Sequence, residues 1–168
     1  MTLDIAIDAD AEWDSSKDWA SLARSAATAA IAESAFPQLG QGERIVELSV
    51  RLASDEEVHA LNSQWRGKDK PTNVLSFPLT ESEEFEQDMQ GGPELMLGDI
   101  VLARGVCAAE AEEKKLPLES HAAHLMVHGT LHLLGYDHMD DDSAGDMEAR
   151  EIRALARLGI ADPYGDRG

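Results

Sequence analysis

His128, His132 and His138, with Gly135 between the second and the third, are the residues of this chain best suited to hold a metal ion. Residues four apart on a helix lie one turn above each other with Cβ atoms about 5–6 Å apart, so the first two imidazoles can share one cation. Glycine tolerates the left-handed conformation that ends a helix, and at position 135 it would turn the chain so that His138 approaches the same point. Three neutral nitrogens around one ion leave a coordination position open for water, the pattern of catalytic rather than structural zinc. One zinc per chain is the expectation.

His124 also precedes His128 by four residues and competes for the role of helical partner. His124 and His132 lie eight residues apart, about 12 Å along a helix axis, too far to share one ion. The downstream pair is preferred because only it has the helix-ending glycine and a third histidine within reach. His121 and His124 then read as core groups or as groups supporting the ligands, and His59 as a surface residue. Asp137, beside the third ligand, can orient an imidazole, take a proton or simply occupy a turn. The spacing is also that of the metzincin proteases, in which a glutamate follows the first histidine and acts as general base. Gly129 stands there instead. It is expected to leave space beside the metal for an anionic phosphodiester, which a carboxylate would repel.

The elements that must position these residues can be read from periodicity. Leu3, Ile5 and Ile7 alternate as a half-buried strand, and an Ala-rich stretch from about Lys17 to Ala35 predicts a helix ended by Phe36-Pro37. Val46, Leu48, Val50 and Leu52 mark a second strand, and Ser54 with Glu57 forms a capping box opening a short helix through about Trp65. Val74 to Phe77, bracketed by Pro71 and Pro78, predicts a third strand that is short or near an edge. The segment 81–93 is acidic and aperiodic and reads as a mobile loop. Leu97 to Leu102 gives a fourth strand and Arg104 to Lys115 a helix. Pro117 opens the histidine-bearing helix, whose leucines make it apolar nearly all round and so a core element. A last helix runs from about Asp140 to Leu158, with Asp140 to Asp142 loading its N-terminus and Gly159 closing it. The order βαβαββααα predicts an α+β fold, a single mixed four-stranded sheet with about five helices packed mainly on one face.

At 168 residues, 43% of them apolar, the chain reads as a single catalytic domain over 1–168. It contains no run of 18 apolar residues, and its acidic N-terminus is unlike a secretory signal. With one cysteine, Cys107, in a predicted helix, a soluble, cytoplasmic protein without membrane contact is expected. Net charge is −19, which would repel a phosphate backbone over most of the surface. Against that background Arg66-Gly67-Lys68-Asp69-Lys70 places three basic residues in five positions. They are either ordinary solvated charges or a local positive site, and composition does not decide between the two.

Taken together, the histidine segment and the stretch from Leu61 to Pro78, which contains Arg66-Gly67-Lys68-Asp69-Lys70-Pro71-Thr72-Asn73-Val74-Leu75-Ser76-Phe77-Pro78, closely resemble the bacterial YbeY family of endoribonucleases. Leu97-Gly98-Asp99-Ile100-Val101 and Asp162-Pro163-Tyr164 also look like that family, so the resemblance spans roughly Ile45 to Tyr164, with the first 44 residues matching only in outline. The resemblance implies a zinc-dependent nuclease of single-stranded RNA, acting in 16S ribosomal RNA 3′-end maturation and ribosome quality control. It further implies that His128, His132 and His138 bind the metal and that Arg66 is needed for activity. Arg66 would then meet developing negative charge with a planar donor set, while Lys68 and Lys70 steer the strand. Because a body of this charge should bind free RNA weakly, a ribosome or ribosomal protein is the expected partner. Two other readings fit the residues: another metal-dependent hydrolase, and a ribosome-associated binding protein whose zinc is structural.

Overall fold

The computed structural model describes residues 2–36, 45–79, 94–137 and 140–164. In chain order its elements are β1 (Thr2–Ala9), α1 (Trp19–Ala32), β2 (Ile45–Ala53), α2 (Asp55–Arg66), β3 (Val74–Pro78), β4 (Glu94–Ala103), α3 (Arg104–Lys114), α4 (Leu118–Leu133) and α5 (Asp141–Arg157). The order is the one expected, and the fold is α+β with one mixed sheet. The acidic segment 81–93 and His138 lie outside the described residues.

Strands are arranged β1-β2-β4-β3, with β1, β2 and β4 parallel and β3 antiparallel to β4. The five-residue β3 stands at the edge, where its last residue, Pro78, is tolerated because a missing N–H is accepted only where no ladder needs it. Alternation along β2 places Val46, Leu48, Val50 and Leu52 in the main core with α1, α4 and α5. Val101 and Ala103 of β4 face the other way and join Leu75 and Val58 in a smaller cluster under α2, with Val106 of α3 at its margin. Most helical cover is therefore on one face, and α2 caps part of the second.

Two helix starts differ from expectation in detail. Asp18 rather than Lys17 marks the entry to α1, its carboxylate accepting from the Ser21 N–H at 3.0 Å. Ser54 caps α2 by accepting from the Glu57 N–H at 3.2 Å, but the Glu57 carboxylate does not close the box. It takes the Arg51 guanidinium at 2.9 and 3.1 Å, a charge-assisted bond stronger than one to a backbone N–H. At α5 the expected acidic start is present, with Asp140 as N-cap and a reciprocal bond to Ser143.

α4 is the element that carries the candidate chemistry, and its burial explains its sequence. Eleven of its sixteen residues are buried, so it runs through the core against β3, β4, α1 and α5. Among the described residues no helix is long and apolar enough to cross a membrane.

Candidate metal centre and basic cleft

His128 and His132 are both partly exposed on an otherwise buried helix, and their Nε2 atoms face each other at 2.9 Å. What lies behind each ring fixes which nitrogen carries the proton. Past Leu133 the helix ends at Gly135, whose φ of 101° allows the chain to reverse, and the Gly135 and Tyr136 N–H groups bond back to the His132 and Leu131 carbonyls at 3.0 Å. This closure brings the Tyr136 carbonyl to 2.8 Å from His132 Nδ1. A carbonyl only accepts, so Nδ1 donates and Nε2 keeps its lone pair.

On the other side Glu151 of α5 does the same for His128. Its side chain is wholly buried, and its Oε1 accepts from His128 Nδ1 while Oε2 accepts from His124 Nε2 at 3.2 Å and from the Tyr164 hydroxyl. Burial alone pushes the Glu151 carboxyl up, but the bonds from His124, His128 and Tyr164 outweigh it and hold the group at about 2. It is therefore ionised at neutral pH and acts as acceptor only. Both inward lone pairs thus point at one spot.

Two nitrogen lone pairs at this separation repel unless a cation lies between them. Two zinc–nitrogen bonds of about 2.0–2.1 Å at the tetrahedral angle would set the nitrogens about 3.3 Å apart, a few tenths of an ångström from the spacing found. The donor set therefore fits zinc: two neutral imidazoles, each with its second nitrogen held by an acceptor. Among the described residues no third His, Cys, Asp or Glu completes the pair. His138, the third expected ligand, lies outside those residues.

Glu151 and Tyr136 went unnoticed in the sequence. Glu151 had left a signal, since it lies on the apolar stripe of α5 between Met147 and the Ala154–Leu155 pair, all buried. A lone carboxylate there must be paired. His124, one of the two groups expected to support the ligands, lies inside this network, its ring 5.5 Å from that of Tyr164 and 6.5 Å from that of His128. Asp137 is exposed beyond the end of α4. His121 is buried and pairs with Glu110 at 2.9 Å, and burial pushes its imidazolium down in spite of that carboxylate. The Nδ1 atoms of His121 and His124 are buried with no hydrogen-bond partner among the described residues. Cys107 is also buried, and burial raises its thiol to about 12, so it is inert as a nucleophile.

The expectation for Gly129 is corrected. A Cβ there would point not at the metal but into β4, standing 2.9 Å from Ile100 Cγ2 and 3.2 Å from its Cγ1 and Cδ1. Gly129 is a contact that lets α4 approach the sheet closely. The missing glutamate therefore leaves no space beside the imidazole pair.

The imidazole pair opens into a cleft of about 410 Å³. Arg66, Lys68 and Lys70 form one side of it, and the edge strand β3, from Val74 through Ser76 to Pro78, another. Asn62, 3% exposed, fixes the basic loop: its Nδ2 donates to the Lys70 carbonyl at 2.9 Å, and its own carbonyl accepts from the Lys68 N–H at 3.1 Å. His59 is drawn into the same loop through Asp69, at 2.7 Å. Arg66, Lys68 and Lys70 are all exposed, and among the described residues none forms an ion pair. The arrangement can hold an anion beside a metal in an otherwise strongly acidic molecule.

Residues 8–159 match the family described as Endoribonuclease YbeY. Proteins of that description from Sphingopyxis alaskensis and Rhizorhabdus wittichii are each 52% identical to this chain, covering 98% and 96% of it and 99% and 96% of their own lengths. The similarity therefore extends into the first 44 residues, beyond the range expected. A solution structure of a Thermotoga maritima protein, 24% identical, shares the fold with a TM-score of 0.55 over 94% of this chain and 92% of that one.

Proposed function

The chain belongs to the Endoribonuclease YbeY family, and from that premise we propose that it is a zinc-dependent endoribonuclease of single-stranded RNA, with His128, His132 and His138 as zinc ligands. The observation that carries the reading is the juxtaposition of two inward-facing imidazole nitrogens, 2.9 Å apart, with a cleft whose other side bears Arg66, Lys68 and Lys70. When bound, zinc supplies Lewis acidity toward a phosphoryl oxygen and makes water more acidic. The protein's own groups do the rest. Glu151 and the Tyr136 carbonyl hold the Nδ1 protons so that the ligand nitrogens stay aimed inward. Arg66 binds the phosphate through its planar fork and meets the negative charge that grows in the transition state. Lys68 and Lys70 attract the strand as point charges.

In this reading the enzyme works in the cytoplasm on the 3′ end of 16S ribosomal RNA and in ribosome quality control. A net charge of −19 opposes binding of free RNA, so the substrate is presented by the ribosome or a ribosomal protein. Peptide hydrolysis is disfavoured because Gly129 supplies no carboxylate and its Cβ direction is filled by Ile100. The test is zinc content measured beside cleavage of single-stranded RNA and of a casein peptide, before and after chelation. RNA cleavage that tracks zinc, with no peptide cleavage, is expected. Zinc-dependent peptidase activity without RNA cleavage would replace this reading with the protease one, and bound zinc without either activity with a structural one.

A further inference from the structure

We propose that the C-terminal segment 160–164 is a latch on the metal centre, with Tyr164 as a positioning residue whose docking on Glu151 and the binding of zinc strengthen each other; this rests on the zinc reading above. The path of the segment is set by its own residues. Gly159, at φ 75°, ends α5, and the Ile160 N–H bonds back to the Leu155 carbonyl at 3.0 Å while its side chain packs on the main core. Glu151 lies eight residues before Gly159, about 12 Å back along the helix axis, so the segment has to reverse and run beside α5 to reach it. Asp162 shapes the approach. Its Oδ1 accepts from the Tyr164 N–H at 2.7 Å, closing a turn around Pro163, whose ring leaves the free segment fewer conformations to lose.

At the end of this path the Tyr164 ring stands edge-on to the His124 ring at 5.5 Å, and its hydroxyl donates to Glu151 Oε2, 3.2 Å from His124 Nε2. Glu151 is 0% exposed, and the donors that hold it come from two places. His124 and His128 belong to α4, which is packed into the core, whereas Tyr164 belongs to a short segment whose Ala161 and Asp162 are exposed. The α4 donors leave only when the core opens; the tyrosine can leave alone.

The consequence for the metal runs through one carboxylate. Glu151 Oε1 holds the His128 Nδ1 proton and so keeps Nε2 aimed inward, while Oε2 is held by Tyr164. With the segment undocked, Oε2 loses a charge-assisted bond and meets water, and the carboxylate is free to turn away from His128. Zinc binds the aimed imidazole better than the loose one, so docking favours zinc. Linkage makes the effect reciprocal, and zinc must favour docking by the same factor. Such couplings begin at about 5-fold, and this one belongs near that lower end because it acts through Glu151 rather than on the metal.

The test reads zinc affinity by chelator competition and latch opening by brief digestion with chymotrypsin, a serine protease that cuts after aromatic residues. Loss of residues 165–168, seen by mass spectrometry, reports an undocked residue 164, and Tyr164→Phe keeps both the ring and the cleavage site. In the parent, zinc should slow this cut about 5-fold. Tyr164→Phe should bind zinc about 5-fold more weakly, with the cut faster and no longer sensitive to zinc. Asp162→Ala loosens the turn but keeps the hydroxyl, so its cut should be faster than the parent's and still be slowed by zinc, a pattern that general loosening of the tail does not produce. A parent cut at the same rate with and without zinc, or Tyr164→Phe binding zinc as tightly as the parent, would overturn the latch while leaving the nuclease reading intact. A parent that takes up no zinc removes both.

Discussion

Replacing Glu151 is the perturbation that reports most directly on how the imidazole pair is held. In Glu151→Ala three donors, on His128, His124 and Tyr164, lose an acceptor whose own side chain has no exposure to water. Removing one side of such a buried charged network costs about 3–5 kcal/mol. At about 2–4 °C per kcal/mol for a chain of this size, the metal-free melting temperature should fall by about 6–20 °C. Glu151→Gln is milder for a reason visible in the geometry. The amide oxygen can stay on His128, and its NH₂ can face His124, which accepts by moving its proton to the unpartnered Nδ1. What is lost is the charge behind the ligand, so zinc affinity should fall about 10-fold in Glu151→Gln and about 100-fold or more in Glu151→Ala. Zinc affinity is read by competition with a chromophoric chelator, and melting by circular dichroism with and without the metal. Parent-like zinc affinity in both variants would refute the assignment of Glu151 as the group that orients His128.

Ala at His128, His132 or His138 should each lower zinc occupancy by orders of magnitude, whereas His124→Ala, which supports the site through Glu151 and an edge contact with the His128 ring, should lower it far less; metal analysis of the four proteins decides. Arg66→Lys keeps charge but loses the fork, so the single-turnover cleavage rate should drop at least 10-fold with zinc unchanged, while Lys68→Ala and Lys70→Ala weaken binding in a salt-dependent way. Gly129→Ala should destabilise by about 1–3 kcal/mol, because its methyl meets the Ile100 side chain, and Ile100→Val should recover part of the loss in denaturant titration. His121, held below its ordinary value by burial, resists a proton that the unfolded chain accepts below about pH 6.5; its contribution is present above that pH and lost as pH falls through the lowered value, so His121→Phe should flatten that part of the stability profile.

The fold was legible where local signals and tertiary need agreed. The β2 alternation became the floor of the main core, Pro71 and Pro78 placed β3 at the edge, and the apolar α4 ran through the interior. The insertion of β4 between β2 and β3 was not legible, since the periodicity of a strand says nothing about its neighbour. At the site, four-residue spacing put His128 beside His132, because helical geometry makes that proximity local. Their support came from elsewhere: Glu151 is 23 residues downstream of His128, and the Tyr136 carbonyl belongs to backbone, which no side-chain pattern reveals. Gly129 was misread for a related reason. Its identity is set by Ile100, a contact across the helix–sheet interface that one sequence does not announce.

The most direct measurement of the central claim is the rate at which the purified protein cleaves a single-stranded RNA as zinc is removed by chelation and then restored. Cleavage should vanish with the metal and return with about one zinc per chain, and neither loss nor return should occur in His132→Ala, which should be inactive throughout. Cleavage that persists after complete zinc removal, or that survives in His132→Ala, would contradict it.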